Sequence, residues 1–385
     1  MKKTIKIIGI IVIILLLLTI ATGFLLFFLN RAQEGNMDQL ESPERSEEVK
    51  PDHTLKENTE VEMPEEDIAV EEEEEKAETT LIFAGDVLLS SYVLNNYERD
   101  GITGVVAQEL LDEMDRADIF MINQEFPFSS RGVQAPDKQF TFRAEPSYIK
   151  IFQEMGVDIV TLANNHSLDY GAEALMDSIQ TVSEAGIEHV GAGSIADEAQ
   201  KEVVFERNGY KIGFLAASRV IPVPEWNIEN AQPGLFCTYD PQMLNTRISE
   251  VKKDCDFVIV YVHWGIEREA YPEDYQRTLA KGYIDSGADL IIGAHPHVLQ
   301  GIEFYNDVPI IYSLGNYIFN QEIRETVLLK VVIDDMGDLK CYLLPAYAKD
   351  AKTNGMDDES KNLLYRYMEE ISEGISIGEE GDIFQ

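Results

Sequence analysis

The chain has 385 residues and is strongly acidic, with 70 aspartates and glutamates against 31 lysines and arginines and a formal net charge of −39 at pH 7. Ordinary nucleic-acid binding requires a basic surface, so this charge excludes nucleic-acid partners. It also argues against passive capture of an anionic polymer, which would need metal ions or local basic residues. The three cysteines, Cys237, Cys255 and Cys341, are too few for a disulfide scaffold and leave their pairing open.

The amino terminus contains an uncharged apolar stretch at residues 7–29, preceded by Lys2, Lys3 and Lys6. About 23 residues at roughly 1.5 Å each can cross a hydrocarbon core of roughly 30 Å. No small-x-small cleavage site follows it, so we predict an uncleaved transmembrane signal-anchor in the lipid bilayer. The basic residues before the span predict that residues 1–6 are cytoplasmic and that the rest is extracellular, as in a single-pass protein of the cell membrane.

Residues 30–79 have a different composition, dominated by glutamate and aspartate and including five consecutive glutamates at 71–75. With almost no aromatic residues, this segment can bury too little area to offset the entropy of ordering. We predict a disordered, self-repelling stalk. A sharper alternative is that the acidity has a role, either by mimicking an acidic polymer or by collecting divalent cations.

Residues 80–350 alternate strand and helix patterns, which predicts one layered α/β domain. The predicted strands are 81–86, 119–125, 159–162, 203–207, 210–216, 257–261, 290–293, 310–313, 326–333 and 339–345, with a hairpin turn at Asn208 and Gly209. The predicted helices are 105–114, 147–155, 173–185 and 274–286. A last helix at 359–372, followed by an acidic tail, is expected within residues 351–385.

Polar side chains follow five of the predicted strands, and four of the six histidines are among them. Ligands in open α/β sheets gather outside the carboxyl ends of the strands, so these residues predict one composite site. Imidazole nitrogens together with carboxylate and amide oxygens suit one or two divalent cations, with Mn²⁺ or Zn²⁺ favoured over Ca²⁺ or Mg²⁺. The residues are Asp86, Glu125, Asn165, His166, His263, His295 and His297.

Six motifs occur in an order that resembles the CapA family of poly-γ-glutamate capsule synthesis proteins, whose fold is similar to that of metallophosphoesterases. They are Phe83-Ala-Gly-Asp86, Asn123-Gln-Glu125, Ala163-Asn-Asn-His166-Ser-Leu-Asp169-Tyr-Gly171, His263-Trp-Gly265, Gly293-Ala-His-Pro-His297-Val-Leu-Gln300 and Tyr312-Ser-Leu-Gly-Asn316. The resemblance implies a four-layer α/β/β/α sandwich like that of calcineurin-like metallophosphoesterases. It also implies a membrane-attached, outward-facing protein of polyglutamate synthesis or export. Membrane polyglutamate synthase or export subunits would be its partners and an anionic polymer its substrate.

The resemblance also implies residue roles. Asp86 and His297 resemble ligands of a first metal, Glu125 resembles the bridging carboxylate, and second-metal ligands would be Asn165, His263 and His295. His166 would face the substrate as a catalytic acid, and Asn165, besides binding the second metal, would belong to the catalytic pair with it. One departure is Leu88, which replaces the histidine of the usual Asp-x-His motif and weakens the first metal position.

Substrate contacts are expected from Arg143, Asn123 and Asn316, and Arg219 is a further basic candidate. Three functions remain open at this point. The first is a metal-dependent hydrolase acting on a phosphoester or amide bond of an envelope polymer. The others are a non-catalytic accessory subunit of a polymerase-exporter and a wall-polymer binding module.

Overall fold

The computed structural model of the protein describes residues 76–385. The predicted cytoplasmic segment 1–6, the signal-anchor 7–29 and the stalk as far as residue 75 lie outside the described residues. Between residues 76 and 385, none of the helices combines the length and the apolar character that crossing a membrane requires.

The secondary structure alternates strands with helices through most of the described chain. The strands are β1 (Thr79–Val87), β2 (Ile119–Gln124), β3 (Ile159–Thr161), β4 (Glu188–Val190), β5 (Ala192–Gly193), β6 (Val203–Arg207), β7 (Tyr210–Ser218), β8 (Gly234–Leu235), β9 (Phe257–His263), β10 (Leu290–Ala294), β11 (Leu299–Tyr305), β12 (Val308–Leu314), β13 (Asn316–Ile318), β14 (Ile323–Ile333), β15 (Leu339–Lys349), β16 (Lys352–Gly355), β17 (Ser376–Ile377) and β18 (Ile383–Phe384). The α-helices are α1 (Ser91–Asp100), α2 (Gln108–Asp115), α3 (Lys150–Met155), α4 (Gly171–Glu184), α5 (Ala196–Ala199), α6 (Gln242–Val251), α7 (Asp274–Asp285) and α8 (Asp358–Glu370). Short 3₁₀ turns occupy Ile102–Gly104, Pro146–Ile149 and Pro224–Trp226.

Two mixed sheets form the centre of the domain. The first has the order β16-β15-β14-β1-β2-β3-β4, with β13 paired alongside the end of β1. In this sheet β1 to β4 are parallel, and β14 to β16 are antiparallel. The second sheet has the order β11-β12-β10-β9-β7-β6, with a parallel centre and antiparallel edge strands. The parallel strands of both sheets therefore present their carboxyl ends for a shared site.

Apolar side chains pack between four layers of structure: one layer of helices, the first sheet, the second sheet and a further layer of helices. Successive strand residues point to opposite faces, so Ile82 of β1 packs outward with α1 to α4 whereas Phe83 packs inward against the second sheet. The outer face of the second sheet packs against α6 and α7, with Leu244 and Tyr283 among the buried contacts. The predicted four-layer α/β/β/α sandwich is confirmed.

The two ends of the described chain differ from the expectation. Thr79, assigned to the stalk, is a buried residue of β1, and Lys76 already pairs with Asp256 at 2.8 Å. At the other end, the expected acidic tail instead forms the strand pair β17–β18, and the backbone N–H of Leu343 donates to the carbonyl of Gly381. Helix α8 also buries its apolar side in the core between the sheets. Residues 351–385 are therefore part of the domain.

The hairpin turn and the cysteines agree with the sequence. Asn208 and Gly209 both have positive φ, 51° and 82°, as a two-residue turn between β6 and β7 requires. Cys237, Cys255 and Cys341 are buried free thiols.

Candidate metal centre

The polar residues that follow the strands converge at the carboxyl ends of β1, β2, β3, β9 and β10. Parallel pairing sets Asp86 beside Asn123 between β1 and β2, and it sets His263 beside Ala294 between β9 and β10. The sandwich thus brings segments separated by more than two hundred positions to one edge. This is the edge that the sequence predicted.

The position of Asp86 depends on an irregularity in β1. The pairing with β2 shifts between Phe83 and Asp86, which is the effect of a bulge that turns a side chain. Gly85 lies at this bulge, and a Cβ there would be only 1.9 Å from the carbonyl oxygen of Gly315. Glycine therefore allows Gly315 to accept a 2.9 Å hydrogen bond from the backbone N–H of Asp86. The carboxylate of Asp86 is fully buried as a result.

Glu125 lies at the centre of the cluster and is fully buried. Its Oε1 lies 3.6 Å from Nε2 of His263, and its Oε2 lies 3.8 Å from Nδ1 of His297. Neither oxygen has a hydrogen-bond partner among residues 76–385. Buried carboxylate oxygens are normally satisfied, so two bare oxygens between imidazoles fit a site that holds a cation.

Two sets of ligand atoms share this carboxylate. Glu125, His263 and His295 form one set, and Asp86, Glu125 and His297 form the other, with the ligand atoms of each set within 4.8 Å of one another. Nδ1 of His295 is also buried without a hydrogen-bond partner in the described part of the chain. The donors fit one or two divalent cations, and the two sets coincide with the second-metal and first-metal ligands that the resemblance implies.

The loop after β10 has unusual backbone geometry. His295 and His297 have φ of 98° and 61°, in the left-handed region that residues other than glycine rarely adopt. The backbone N–H of His295 donates to Oδ2 of Asp86 at 3.3 Å, which ties this loop to β1. Strained backbone of this kind concentrates at functional sites, because the surrounding structure must hold it.

The electrostatics of the cluster differ between its two sets of ligands, and the set with His263 and His295 is the one ready to bind a cation. Burial, followed by repulsion from Asp86, raises the pKa of Glu125 well above its ordinary value. Burial lowers the pKa of His263 well below its usual range and, with the charge of His297, lowers that of His295 to about 4. Burial also opposes protonation of His297, but attraction to Glu125 and Asp86 outweighs it and raises that pKa to about 10. His263 and His295 are therefore neutral at pH 7, as metal ligands must be, whereas His297 is protonated and would have to release its proton when a cation binds.

Two hydrogen-bonded asparagine side chains, Asn123 and Asn164, lie behind the ligands, and a third asparagine, Asn165, lies among them. Nδ2 of Asn123 donates to Asp86 at 2.7 Å and approaches Nδ1 of His263 at 3.3 Å, while its Oδ1 accepts from Asn164 at 3.0 Å. Oδ1 of Asn165 lies 2.9 Å from Nε2 of His263, which places this amide with the second set of ligands. Asn123 and Asn164 fix the orientation of the groups in front of them.

His166 belongs to a polar triad beside the cluster. Its Nδ1 lies 2.7 Å from Oδ2 of Asp169 and 3.0 Å from Nζ of Lys138, and Lys138 also contacts the Asp169 carboxylate and the carbonyl of Asn165. Burial lowers the pKa of His166, and attraction to Asp169 only partly offsets this. An obligate donor and an obligate acceptor thus share one ring nitrogen, and their balance decides which nitrogen of the neutral imidazole carries the proton.

The structure places only some of the predicted substrate contacts where a substrate could reach them. Asn123 is fully buried and both ends of its amide are engaged within the protein, so it does not face a substrate as expected. Asn316 uses its Oδ1 at 2.8 Å from Nδ1 of His297 and thereby orients a ligand. Arg143 does line a cleft next to the cluster. The guanidinium of Arg219 instead lies 4.0 Å from the centre of the Tyr239 ring.

The remaining surroundings include residues that the sequence analysis did not select. Leu88, at the position of the missing histidine, is buried and lines the same cleft. Lys138, Asp169 and Arg268 received no role. Asp169 could have been found from its position three residues after His166 in a motif already quoted, but Lys138 and Arg268 lie in loops and carry no local signal.

The fold and the site together define an α/β/β/α domain with a buried carboxylate–imidazole cluster at the strand ends. Residues 80–321 match the family model described as bacterial capsule synthesis protein PGA_cap, and the chain belongs to this family. The predicted membership of the CapA family is thereby confirmed.

Two curated relatives and one solved structure illustrate the similarity. The chain is 33% identical to the PGA biosynthesis protein CapA of Bacillus subtilis over 269 residues, which cover 68% of this chain and 70% of the relative. It is 30% identical to the capsule biosynthesis protein CapA of Bacillus anthracis over 308 residues, covering 76% and 74%. Among solved structures, it is similar to a novel phosphatase from Mycoplasma pneumoniae with 16% identity and a TM-score of 0.48, covering 71% of this chain and 95% of that one.

Proposed function

We propose that the protein is a membrane-anchored, extracytoplasmic component of poly-γ-glutamate or capsule polymer biosynthesis and that its cluster is a metal-dependent hydrolase site. The observation that carries this proposal is the buried carboxylate of Glu125, whose two oxygens have no partner within residues 76–385 and lie between two imidazoles. The process follows from the family and from the names of its Bacillus relatives.

Mn²⁺ or Zn²⁺ would be held by the two sets that share Glu125, with Asn165 completing the set of His263 and His295. A bound cation would polarise the scissile oxygen and lower the pKa of bound water. Glu125 would orient both positions because its two oxygens face different imidazoles. Asn123 and Asn316 would fix the ligand side chains through the hydrogen bonds described above.

His166 would supply the proton for the leaving group from Nε2, while Lys138, whose Nζ lies 3.0 Å from Nδ1, would pass a proton to the ring so that it stays neutral. It is not a member of either ligand set, and its ring borders the cleft where a substrate can enter. Asp169 and Lys138 both reach its Nδ1, so they would keep Nε2 directed at the substrate. A positioned acid of this kind contributes typically about 10²–10⁴-fold to a rate.

The membrane anchor would be residues 7–29, with the catalytic domain outside the cell and the acidic segment as a spacer. This arrangement would hold the site near membrane subunits that synthesise or export the polymer. The proposal rests on the length and apolar character of residues 7–29 and on the three lysines before them.

A second candidate is a non-catalytic accessory subunit of the same machinery. The specific observation in its favour is Leu88, a buried apolar side chain where metallophosphoesterases carry a ligand histidine. The first set then offers only Asp86, Glu125 and His297, which reduces the affinity for a first cation.

Surface polymer measured in cells separates the two functions. At matched protein levels, His166→Ala and His295→Ala should both abolish polymer processing if the site is a hydrolase, and His189→Ala is the matched control because His189 belongs to neither ligand set. Normal polymer with His166→Ala would contradict the hydrolase and support the accessory role. Deletion of residues 7–29 should abolish polymer formation in either case, because it detaches the domain from its membrane partners.

A further inference from the structure

A cleft of about 500 Å³ opens beside the metal centre, and it is lined by the ligand His297 and by the neighbouring His166. Two phenylalanines form its walls next to these rings. Phe142 lies 4.5 Å from the His166 ring centre, and Phe319 lies 5.0 Å from that of His297. A ligand in this cleft would therefore touch both aromatic walls and the site at the same time.

Two guanidinium groups also line the cleft, and neither is neutralised. Arg143 donates to the carbonyl of Arg131 at 2.9 Å and lies over the Tyr170 ring at 4.1 Å, with no carboxylate in an ion pair with it within residues 76–385. The side chain of Arg268 has neither a hydrogen bond nor an ion pair in the described chain. In a chain with net charge −39, two arginines without an ion-pair partner among the described residues, against the single carboxylate of Glu267, make this cleft a local site for anions.

The position of Arg268 is fixed by the loop that carries the ligands. Arg268 has φ of 66°, and its backbone N–H donates to the carbonyl of Pro296 at 2.8 Å. Pro296 lies between His295 and His297, so the arginine is tied to the metal centre. A strained residue held in this way, with an unpaired charge, is typical of a ligand-binding position.

The cleft also contains one acceptor, the exposed carboxylate of Glu267. A ligand that satisfies the whole lining needs carboxylates for Arg143 and Arg268, an N–H donor for Glu267, and apolar methylenes for Phe142 and Phe319. A γ-linked glutamate segment carries all three, because each unit has a free carboxylate, an amide N–H and two methylenes in its backbone. An α-linked chain has its methylenes only in side chains.

We infer that this cleft binds a short segment of γ-linked polyglutamate, with Arg143 and Arg268 holding carboxylates and the phenylalanines packing on the methylenes. The inference rests on the proposed function for the kind of polymer, but it concerns binding and requires no hydrolysis. The segment would lie next to His166 and His297, so the cleft would determine which bond reaches the site.

Binding of a fluorescently labelled γ-linked pentaglutamate tests this directly. The full chain in detergent micelles is titrated at constant ionic strength with Mn²⁺ present, and fluorescence polarisation reports the dissociation constant. Arg268→Gln and Arg143→Gln should each weaken binding about tenfold or more, since each removes a charge-assisted hydrogen bond. Arg116→Gln is the matched control, because Arg116 is exposed, pairs with Glu113 on α2 and is not among the residues of the cleft. It should change binding less than twofold.

Two further measurements test whether the metal centre is intact in the variants and whether the cleft distinguishes γ-linked from α-linked peptides. The stabilisation by Mn²⁺ in thermal melts should be the same in all three variants, so a loss of binding is attributable to the cleft and not to the metal centre. An α-linked pentaglutamate should bind at least about tenfold more weakly than the γ-linked one. Equal binding of the two peptides, or unchanged binding in Arg268→Gln and Arg143→Gln, would overturn the inference. Binding without any cleavage of the peptide would contradict a hydrolase that acts on γ-glutamyl amide bonds and leave the cleft assignment intact.

Discussion

Replacement of Glu125 by glutamine should affect the stability of the metal-bound protein much more than that of the metal-free protein. In the metal-free state, Glu125 is a fully buried carboxyl whose oxygens have no hydrogen-bond partner among the described residues. Removing its charge relieves the repulsion with Asp86 but also removes the attraction to His297, so we expect the free energy of unfolding of the metal-free protein to change by no more than about 1–2 kcal/mol. Most substitutions of a structural buried carboxylate would instead destabilise strongly.

The stabilisation that a bound metal gives should, by contrast, be largely lost in this variant. A cation at 100 times its dissociation constant stabilises the wild type by about 2.7 kcal/mol. For a chain of this size that corresponds to an increase in Tm of about 5 °C. Glu125→Gln should lose most of this increase, because Glu125 belongs to both ligand sets.

Thermal melts with and without Mn²⁺ or Zn²⁺ measure both quantities. Glu250→Gln is the matched control, since Glu250 is a surface residue that pairs with Arg247 far along the chain from the ligands. It should keep the full increase. A Glu125→Gln protein that retains the increase would refute the shared carboxylate. A metal-free variant that melts many degrees lower would show that Glu125 is a structural group.

Three further predictions concern the neighbourhood of the cluster. In EDTA, the raised pKa of His297 stabilises the folded protein fully below about pH 6.5, and this stabilisation is lost as the pH rises towards about 10. The Tm of the wild type should therefore fall over this pH range, whereas the Tm of His297→Gln should change less. Parallel curves for the two proteins would contradict the ion pairs of His297. Lys138→Met should increase the fraction of His166 with the proton on Nδ1, because only the acceptor Asp169 then remains at that nitrogen, and ¹⁵N chemical shifts of the Zn²⁺ form would refute this by showing no change. Gly85→Ala should cost about 1–3 kcal/mol in thermal melts, since its Cβ would collide with a carbonyl oxygen, and an unchanged Tm would contradict this packing.

Much of the fold could be predicted because local patterns agree with the tertiary structure. Strands such as β1 and β9 are buried on both faces and read as continuous apolar runs, and the polar residue that ends each run reveals the site. Helix α1 had no such signal, since it buries only Val93 and Asn96. The strand pair β17–β18 is two residues long on each side and is stabilised by packing that sequence periodicity cannot show.

The residues of the site could be predicted from the sequence only where they follow a strand. The ligand residues each follow a strand, so topology alone brings them together. Lys138 and Arg268 lie in loops, and each depends on a contact with a residue 28 positions further along the chain. Lys138 contacts His166, and Arg268 contacts Pro296. In a chain rich in charged residues, neither could be distinguished from a solvated surface cation before the loops were placed.

The metal content of the purified protein decides whether Glu125 and the surrounding histidines form a metal centre. The full chain is prepared without exposure to any chelator and analysed by plasma mass spectrometry, together with His295→Ala purified in the same way. We expect about one to two equivalents of Mn²⁺ or Zn²⁺ in the wild type and a clear decrease in the variant. A wild-type protein without metal, whose Tm does not change when either ion is added, would contradict it.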